Sequence, residues 1–448
     1  MTEPKVPFGK QFRQKYFAKL DPNVVNVNHG SFGLTPDLIL NSYLKNIEKQ
    51  SLFPEKAIRY ENRDDYVKAL KLVADELLLN CDYHNLAILE NSSTAIDTIL
   101  RSYPFVKGDK FVISSTTYRA CANTVKFLEN RIGIEVILIE LNFPLTNAEI
   151  LDKFRDEFEK NSPKLCLFDI VSSQPAIRFP FEKITELCRE YGVLSLVDGA
   201  HGIGLVELSL KDLKPDFLVT TLHKWLYVER GCAVLYVDPK HQRKIHTMPI
   251  SFSYLDDNEP LETEELNKMR FINTFHYTGT KNKPNIPIIG EAISFRKDIC
   301  GGESVIRKYC EGLSHEVVEL FTKKIWPGTT YLDNEDGSAI TAMVNIEIPI
   351  EQYATKDFDR SDLKRYLLYL EERICFKHNT FVPFSVNNGK AYARFSCQLY
   401  NDIDDYIYAG EIISKELKEF FDNEVYNDLK STPKSGAVFL AVDKLSIK

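Results

Sequence analysis

No apolar run in these 448 residues approaches the ~20 needed to cross a bilayer, so no segment reads as a membrane span. A basic surplus is also missing. The net charge is −8, which argues against a nucleic-acid surface. The nine cysteines are odd in number and include no CxxC pair, which excludes a disulfide framework and a zinc-site pattern. Most of them, Cys166 and Cys232 among them, lie within apolar strand or helix patterns and read as reduced core residues. That usage implies a reducing compartment, and with no apolar signal-peptide core the expectation is a cytosolic protein. The nucleotide motifs fail too. Gly199, Gly202 and Gly204 give the dinucleotide fingerprint in reverse, and Gly389-Lys390 runs into Ala391 and so makes no P-loop.

The chain is 44% apolar and 27% charged, ordinary for a globular protein, and long enough for one large domain and a smaller one. Residues Lys5–Lys19, basic with interleaved aromatics, predict an amphipathic first helix. Asn28-His29-Gly30-Ser31 then forms a Gly-rich turn, and helices follow over Leu38–Gln50 and Asp64–Leu79. From Leu86 strands and helices alternate: strands Leu86–Glu90, Lys110–Ser114, Glu135–Glu140 and Leu165–Val171, helices Ala95–Tyr103, Tyr118–Asn130, Asn147–Lys160 and Phe181–Tyr191. This order predicts an α/β architecture with a mostly parallel, helix-covered sheet. Beyond Pro249 the texture changes. An acidic loop at 256–266 and a polar, turn-rich Phe275–Pro287 lead to helices Ile288–Cys300 and Glu303–Lys324. A strand at Ala342–Ile350, a helix at Ser361–Cys375, a hairpin around Asn387-Asn388-Gly389 and a helix at Asp402–Asn423 follow, predicting a small α+β unit with an antiparallel sheet. The expected division is an N-terminal arm over 1–40, a large domain over 41–295 and a small domain over 296–448, whose last ~20 residues are weakly patterned.

The chemistry concentrates in Leu194–Tyr236. Asp198 ends one apolar run, and Lys224 follows the next, Asp216–Leu222. The carboxyl ends of parallel strands open into one crevice, so this acid and this lysine can face one ligand. Pyridoxal phosphate needs such a pair, a lysine for its aldehyde and a carboxylate for its pyridine nitrogen. Upstream, a strand runs through Asn91-Ser92-Ser93-Thr94 into a helix, with Ser93 or Thr94 near the N-cap. That reads either as an ordinary cap or as a phosphate site. Taken singly, Asp198, His223, Lys224 and Arg394 each have a structural reading as well: a turn residue, a satisfied histidine, a solvated lysine, half of a salt bridge.

Together these stretches resemble the class V aminotransferase family of pyridoxal-phosphate enzymes. The matching pieces are NHGSFG at 28–33, NSSTA at 91–95, SSQPAIRFP at 172–180, VDGAHGIG at 197–204, TTLHKWL at 220–226, YTGT at 277–280 and ARFSCQLYN at 393–401. The resemblance implies the aspartate-aminotransferase fold, type I, with a seven-stranded sheet in the large domain. It implies that Lys224 bonds the cofactor covalently, that Asp198 holds the pyridine nitrogen protonated, and that His201 and Ser173 stand beside the phenolic oxygen. It assigns the phosphate to Ser93, Thr94, Thr221 and His223, and ring stacking to Tyr118. Thr280 would reach the phosphate of a neighbouring subunit in a homodimer. Arg394 would clamp the substrate carboxylate, while Asn28 and His29 would line the substrate side. No metal is implied.

NHGSFG with HKWL looks closest to the isopenicillin N epimerase-like branch, which includes cysteine desulfhydrases and hercynylcysteine sulfoxide lyases. A persulfide-relay desulfurase needs a nucleophilic cysteine on the loop before the carboxylate-binding arginine, and residues His378–Lys390 contain none. The expectation is therefore a C–S lyase acting on cysteine or a cysteine S-conjugate. The alternatives are an epimerase or aminotransferase of the same family, or a catalytically silent homodimeric scaffold.

Overall fold

The computed structural model describes residues 3–431 apart from 78–80, 257–258, 260–262, 355–357 and 359. The weakly patterned C-terminal stretch thus lies almost entirely outside the described residues.

Seven strands form one sheet: β1 (Leu86–Leu89), β2 (Lys110–Ser114), β3 (Glu135–Ile139), β4 (Leu165–Asp169), β5 (Leu194–Gly199), β6 (Phe217–Thr221) and β7 (Ala233–Val237). Their spatial order is β1-β7-β6-β5-β4-β2-β3, and β7 alone runs antiparallel to its neighbours. β4, β5, β6 and β7 are buried at nearly every position, as a sheet covered on both faces requires. Successive side chains divide between the faces: Cys166 and Phe168 enter one core with Phe154 and Ile184, Leu165 and Leu167 the other with Ile96 and Val125. The register pairs Asp169 with Asp198 and Gly199 with Thr220, so three strands deliver their polar ends to one place.

The C-terminal region builds an antiparallel sheet from β8 (Met343–Glu347), β9 (Phe384–Asn387) and β10 (Lys390–Ser396), in the order β8-β10-β9. β9 and β10 join through Asn388 and Gly389, both at positive φ, as a tight hairpin demands. Helices Glu303–Leu320, Leu363–His378 and Ile403–Asp422 cover this sheet around a second core that includes Trp326, Phe395 and Tyr406.

Element types follow the expected pattern, with local differences. A helix, Glu264–His276, begins within the stretch read as an acidic loop and ends within the one read as turn-rich, because Thr263 caps it and Phe271, Ile272 and Phe275 give it a buried side. The helices expected over Ile288–Cys300 and Glu303–Lys324 close in wide π turns, Phe295–Ile299 and Phe321–Ile325. Among the described residues no helix is long and apolar enough to cross a membrane.

The Gly-rich turn is a single helical turn, His29–Phe32, wedged between the two sheets. Val27 O accepts from Ser396 N on one side, and Gly33 abuts the loop after β6 on the other. Gly33 sits at φ +70, and a Cβ there would collide with the backbone oxygen of His223. Gly33→Ala should therefore cost about 3 kcal/mol or more in thermal or urea unfolding. Gly108→Ala is the control, since Gly108 has φ +87 but open space around it, and should cost only the backbone strain of about 1–2 kcal/mol. Equal losses at the two positions would remove the steric argument.

Candidate active site

The carboxyl ends of β5 and β6 place Asp198, His201, Thr221, His223 and Lys224 together. Lys224 Nζ lies 3.1 Å from His201 Nε2, and His201 Nδ1 accepts from Trp225 Nε1 at 3.0 Å. Burial lowers the Lys224 pKa to about 8. The positive charge of Arg394 adds to that, while Asp198 and Asp169 oppose it. Asp198 is buried, and its partners are neutral: the Ala200 N–H at 2.9 Å and the Cys121 thiol at 3.8 Å. Desolvation raises its pKa against the pull of that N–H and of Lys224. A buried carboxylate without a cationic hydrogen-bond partner fits a site completed by a protonated pyridine.

Arg394, on β10, reaches back toward the large sheet. Its Nη1 donates to Ser173 O at 2.7 Å and its Nη2 to Asn28 Oδ1 at 2.6 Å and Ser31 Oγ at 2.8 Å. Its buried Nε has no protein partner. The guanidinium is thus fixed with a donor to spare, a geometry suited to a carboxylate. Burial brings its pKa down to about 10, and Glu371 acts in the other direction. Ser173 stands against this guanidinium, with its carbonyl oxygen 2.7 Å and its hydroxyl 3.5 Å from Arg394 Nη1. Asn28 holds Arg394 from behind.

His29 requires a correction. It does not line the substrate side. It is fully buried, with Nε2 2.6 Å from Lys224 O and Nδ1 3.0 Å from Tyr400 Oη. A carbonyl only accepts, so Nε2 carries the proton and Tyr400 donates to Nδ1. Burial lowers the His29 pKa to about 3, so the ring stays neutral. His29 is a brace for the Lys224 backbone.

At the expected phosphate end, the helix Ser92–Ser102 is capped by Asn91, whose side chain accepts from Thr94 N at 2.8 Å. Ser93 and Thr94 therefore sit in its first turn and not at the cap. The Ser92 hydroxyl is buried without a partner, and the helix start offers backbone donors of the kind that hold phosphate. Thr221 Oγ1 donates to Ala200 O at 2.6 Å, and His223 Nδ1 bonds Cys232 O at 2.9 Å, leaving Nε2 for a ligand. Tyr118 is half exposed just before the helix Arg119–Ile132, which carries Cys121 to Asp198. Thr280 stands apart on an exposed turn, 3.3 Å from Tyr277 Oη.

Several supporting residues escaped the sequence reading. Arg296, fully buried in a π turn, donates to Trp225 O at 2.6 Å and Gly204 O at 3.0 Å while pairing with Glu303. Its only sequence signal is a charge within an apolar helical pattern. Asp169, in register with Asp198, brings a second buried carboxyl, its pKa pushed upward by desolvation and by the Asp198 charge. Ser31 and Trp225 lay inside motifs that were already noted.

The profile of the class V aminotransferases ("Aminotransferase class-V") matches residues 62–367. The chain belongs to this family. It is 30% identical to the hercynylcysteine sulfoxide lyase of Schizosaccharomyces pombe, over 94% of this chain and 99% of that one. It is 26% identical to an L-cysteine desulfhydrase-like protein of Epichloe uncinata, over 95% and 99% of the two chains. Among solved structures, a cystine C–S lyase in complex with cysteine persulfide superposes with a TM-score of 0.70 at 17% identity, covering 88% of this chain and 98% of that one. The fold is that of the type I pyridoxal-phosphate enzymes, and the chain is a pyridoxal-phosphate-dependent enzyme. The residues present fit the cofactor: Lys224 for its aldehyde, Asp198 for its nitrogen, the Ser92–Ser102 helix start for its phosphate.

Two outcomes are expected. Borohydride treatment of the protein with pyridoxal phosphate should fix the cofactor on Lys224, read by peptide mass, and Lys224→Ala should leave no adduct. Only the neutral amine reacts with an aldehyde, and the Lys224 pKa is depressed. The rate of adduct formation should accordingly rise with pH and level off above about 8, instead of climbing on toward 10.5. A rate still rising tenfold per unit beyond about pH 9 would contradict the buried-amine environment.

Proposed function

We propose that this chain is a C–S lyase acting on cysteine or a cysteine S-conjugate. Cleavage with one water gives the sulfur product, pyruvate and ammonia. The observation that carries the reading is a buried Lys224 of depressed pKa and a fixed Arg394 in a site without a thiolate. Cys121, the thiol nearest Asp198, is pushed far above its ordinary pKa by burial and by the carboxylates. Cys397 is fully buried and raised to about 11, and residues 378–390 hold no cysteine. Sulfur leaving the substrate therefore has no protein acceptor and departs as product. The similarity to the hercynylcysteine sulfoxide lyase and the desulfhydrase-like protein supports the same chemistry.

Bound pyridoxal phosphate supplies an aldehyde for the substrate amine and an electron sink for Cα. The protein's own share is placement and proton transfer. Arg394 takes the α-carboxylate, with Asn28, Ser31 and Ser173 O fixing its plane. Lys224 Nζ accepts the Cα proton as general base, a task suited to an amine with a pKa near neutrality. With the cofactor bound, Asp198 would hold its pyridine nitrogen protonated and Tyr118 would lie over its ring.

The reading includes a homodimer in which Thr280 serves the neighbouring site. What supports it is an exposed apolar surface beside that residue: Leu52, Phe53 and Phe252 are exposed, and Phe252 shares a groove with Pro54, Ile58, Tyr277 and Thr280.

Pyruvate release from cysteine, cystine and hercynylcysteine sulfoxide tests the reaction. Rates equal to those without protein would favour a silent scaffold, and an amino-acid product in place of pyruvate would favour an epimerase or aminotransferase. Arg394→Ala should lower kcat/KM about 10²–10³-fold while the adduct on Lys224 still forms. Full activity in that variant would remove Arg394 from the site.

A further inference from the structure

Trp225 follows the cofactor lysine and is almost wholly buried, yet its ring nitrogen points back into the site. An indole Nε1 is a donor only, so its 3.0 Å contact makes His201 Nδ1 an acceptor. A neutral imidazole that accepts at Nδ1 carries its proton on Nε2. That nitrogen faces Lys224 Nζ at 3.1 Å, and the contact is a hydrogen bond only if Lys224 offers a lone pair. The opposite assignment, an ammonium donating to Nε2 with the proton on Nδ1, would set indole N–H against imidazole N–H with no acceptor between them.

We propose that Trp225 is a positioning residue that locks His201 in its Nε2–H tautomer, through which His201 holds Lys224 as a free amine ready for carbonyl chemistry.

The indole is itself fixed. Its ring packs against His29 and His201, and Arg296 Nη1 grips its backbone oxygen. Gly204 passes so close that a Cβ there would stand 2.8 Å from the same oxygen. Burial and neighbouring positive charge keep His201 neutral, in keeping with the tautomer argument. The charged and titratable groups around the pair are Arg394, Asp198, Asp169, Cys121, His223 and His29. None of them hydrogen-bonds to His201, so none can choose between its nitrogens; the choice falls to Trp225.

The inference rests on Lys224 as the cofactor lysine, but its test is read before any cofactor or substrate is added. Failure here is therefore distinct from failure to release pyruvate. In the full chain labelled with 15N-histidine, the His201 signals, assigned by their loss in His201→Gln, should show an unprotonated Nδ1 and a protonated Nε2. A protonated Nδ1 overturns the proposal, and this measurement needs no Trp225 variant to fold. The second arm follows labelling of Lys224 by trinitrobenzenesulfonate against pH. Trp225→Phe should move the half-maximal pH upward by about one unit, a tenfold slower reaction at fixed pH below it. In the His201→Gln background the amide donates from its own nitrogen whatever stands at 225, so Trp225→Phe should add no further shift. An equal shift in both backgrounds would mean that Trp225 acts through packing alone, and would overturn the proposal.

Discussion

Three consecutive carbonyl oxygens, those of His223, Lys224 and Trp225, hold the site together. Gly33 packs against the first, His29 donates to the second, and Arg296 donates to the third. The partners come from the N-terminal turn and from a π turn far along the chain, so each contact is a long-range constraint on one short loop. A lysine on a solvated loop would wander over many rotamers. Here the backbone on both sides of Lys224 is fixed before the side chain begins, and the cost of ordering the amine has been met in folding.

The same enclosure sets the charges. Lys224 is buried within reach of the charges of Arg394, which lowers its pKa, and of Asp198 and Asp169, which raise it. Desolvation is the largest influence on each of the four groups, and it favours their neutral forms. Burial pushes both carboxyls up, and the Asp198 charge pushes Asp169 further.

Much of this was legible in the residues. Strand positions followed from short apolar runs bounded by turns, and the Asp198–Lys224 pair followed from strand ends facing one crevice. What stayed hidden were interactions between segments distant in sequence. Nothing local marks Arg296 as the brace of a loop 71 residues away, a separation visible only in the folded chain. His29 was misplaced for a related reason. A histidine beside a Gly-rich turn looks like a ligand-facing group, and only the fold shows both of its nitrogens already engaged. At Asn91 the competing caps were all polar and adjacent, and only backbone geometry chose among them.

The N-terminal turn joins the two halves of the chemistry. Asn28 and Ser31 hold the Arg394 guanidinium, and His29, between them, holds the backbone of Lys224. Arg394 and the Lys224 backbone are therefore both referenced to the helical turn His29–Phe32 and its cap Asn28. The turn is itself pinned to both sheets, through Val27 O to Ser396 N and through Gly33 to the His223 oxygen. An N-terminal segment that looked like a connecting turn is, in this arrangement, the part that ties the Arg394 guanidinium to the backbone of Lys224.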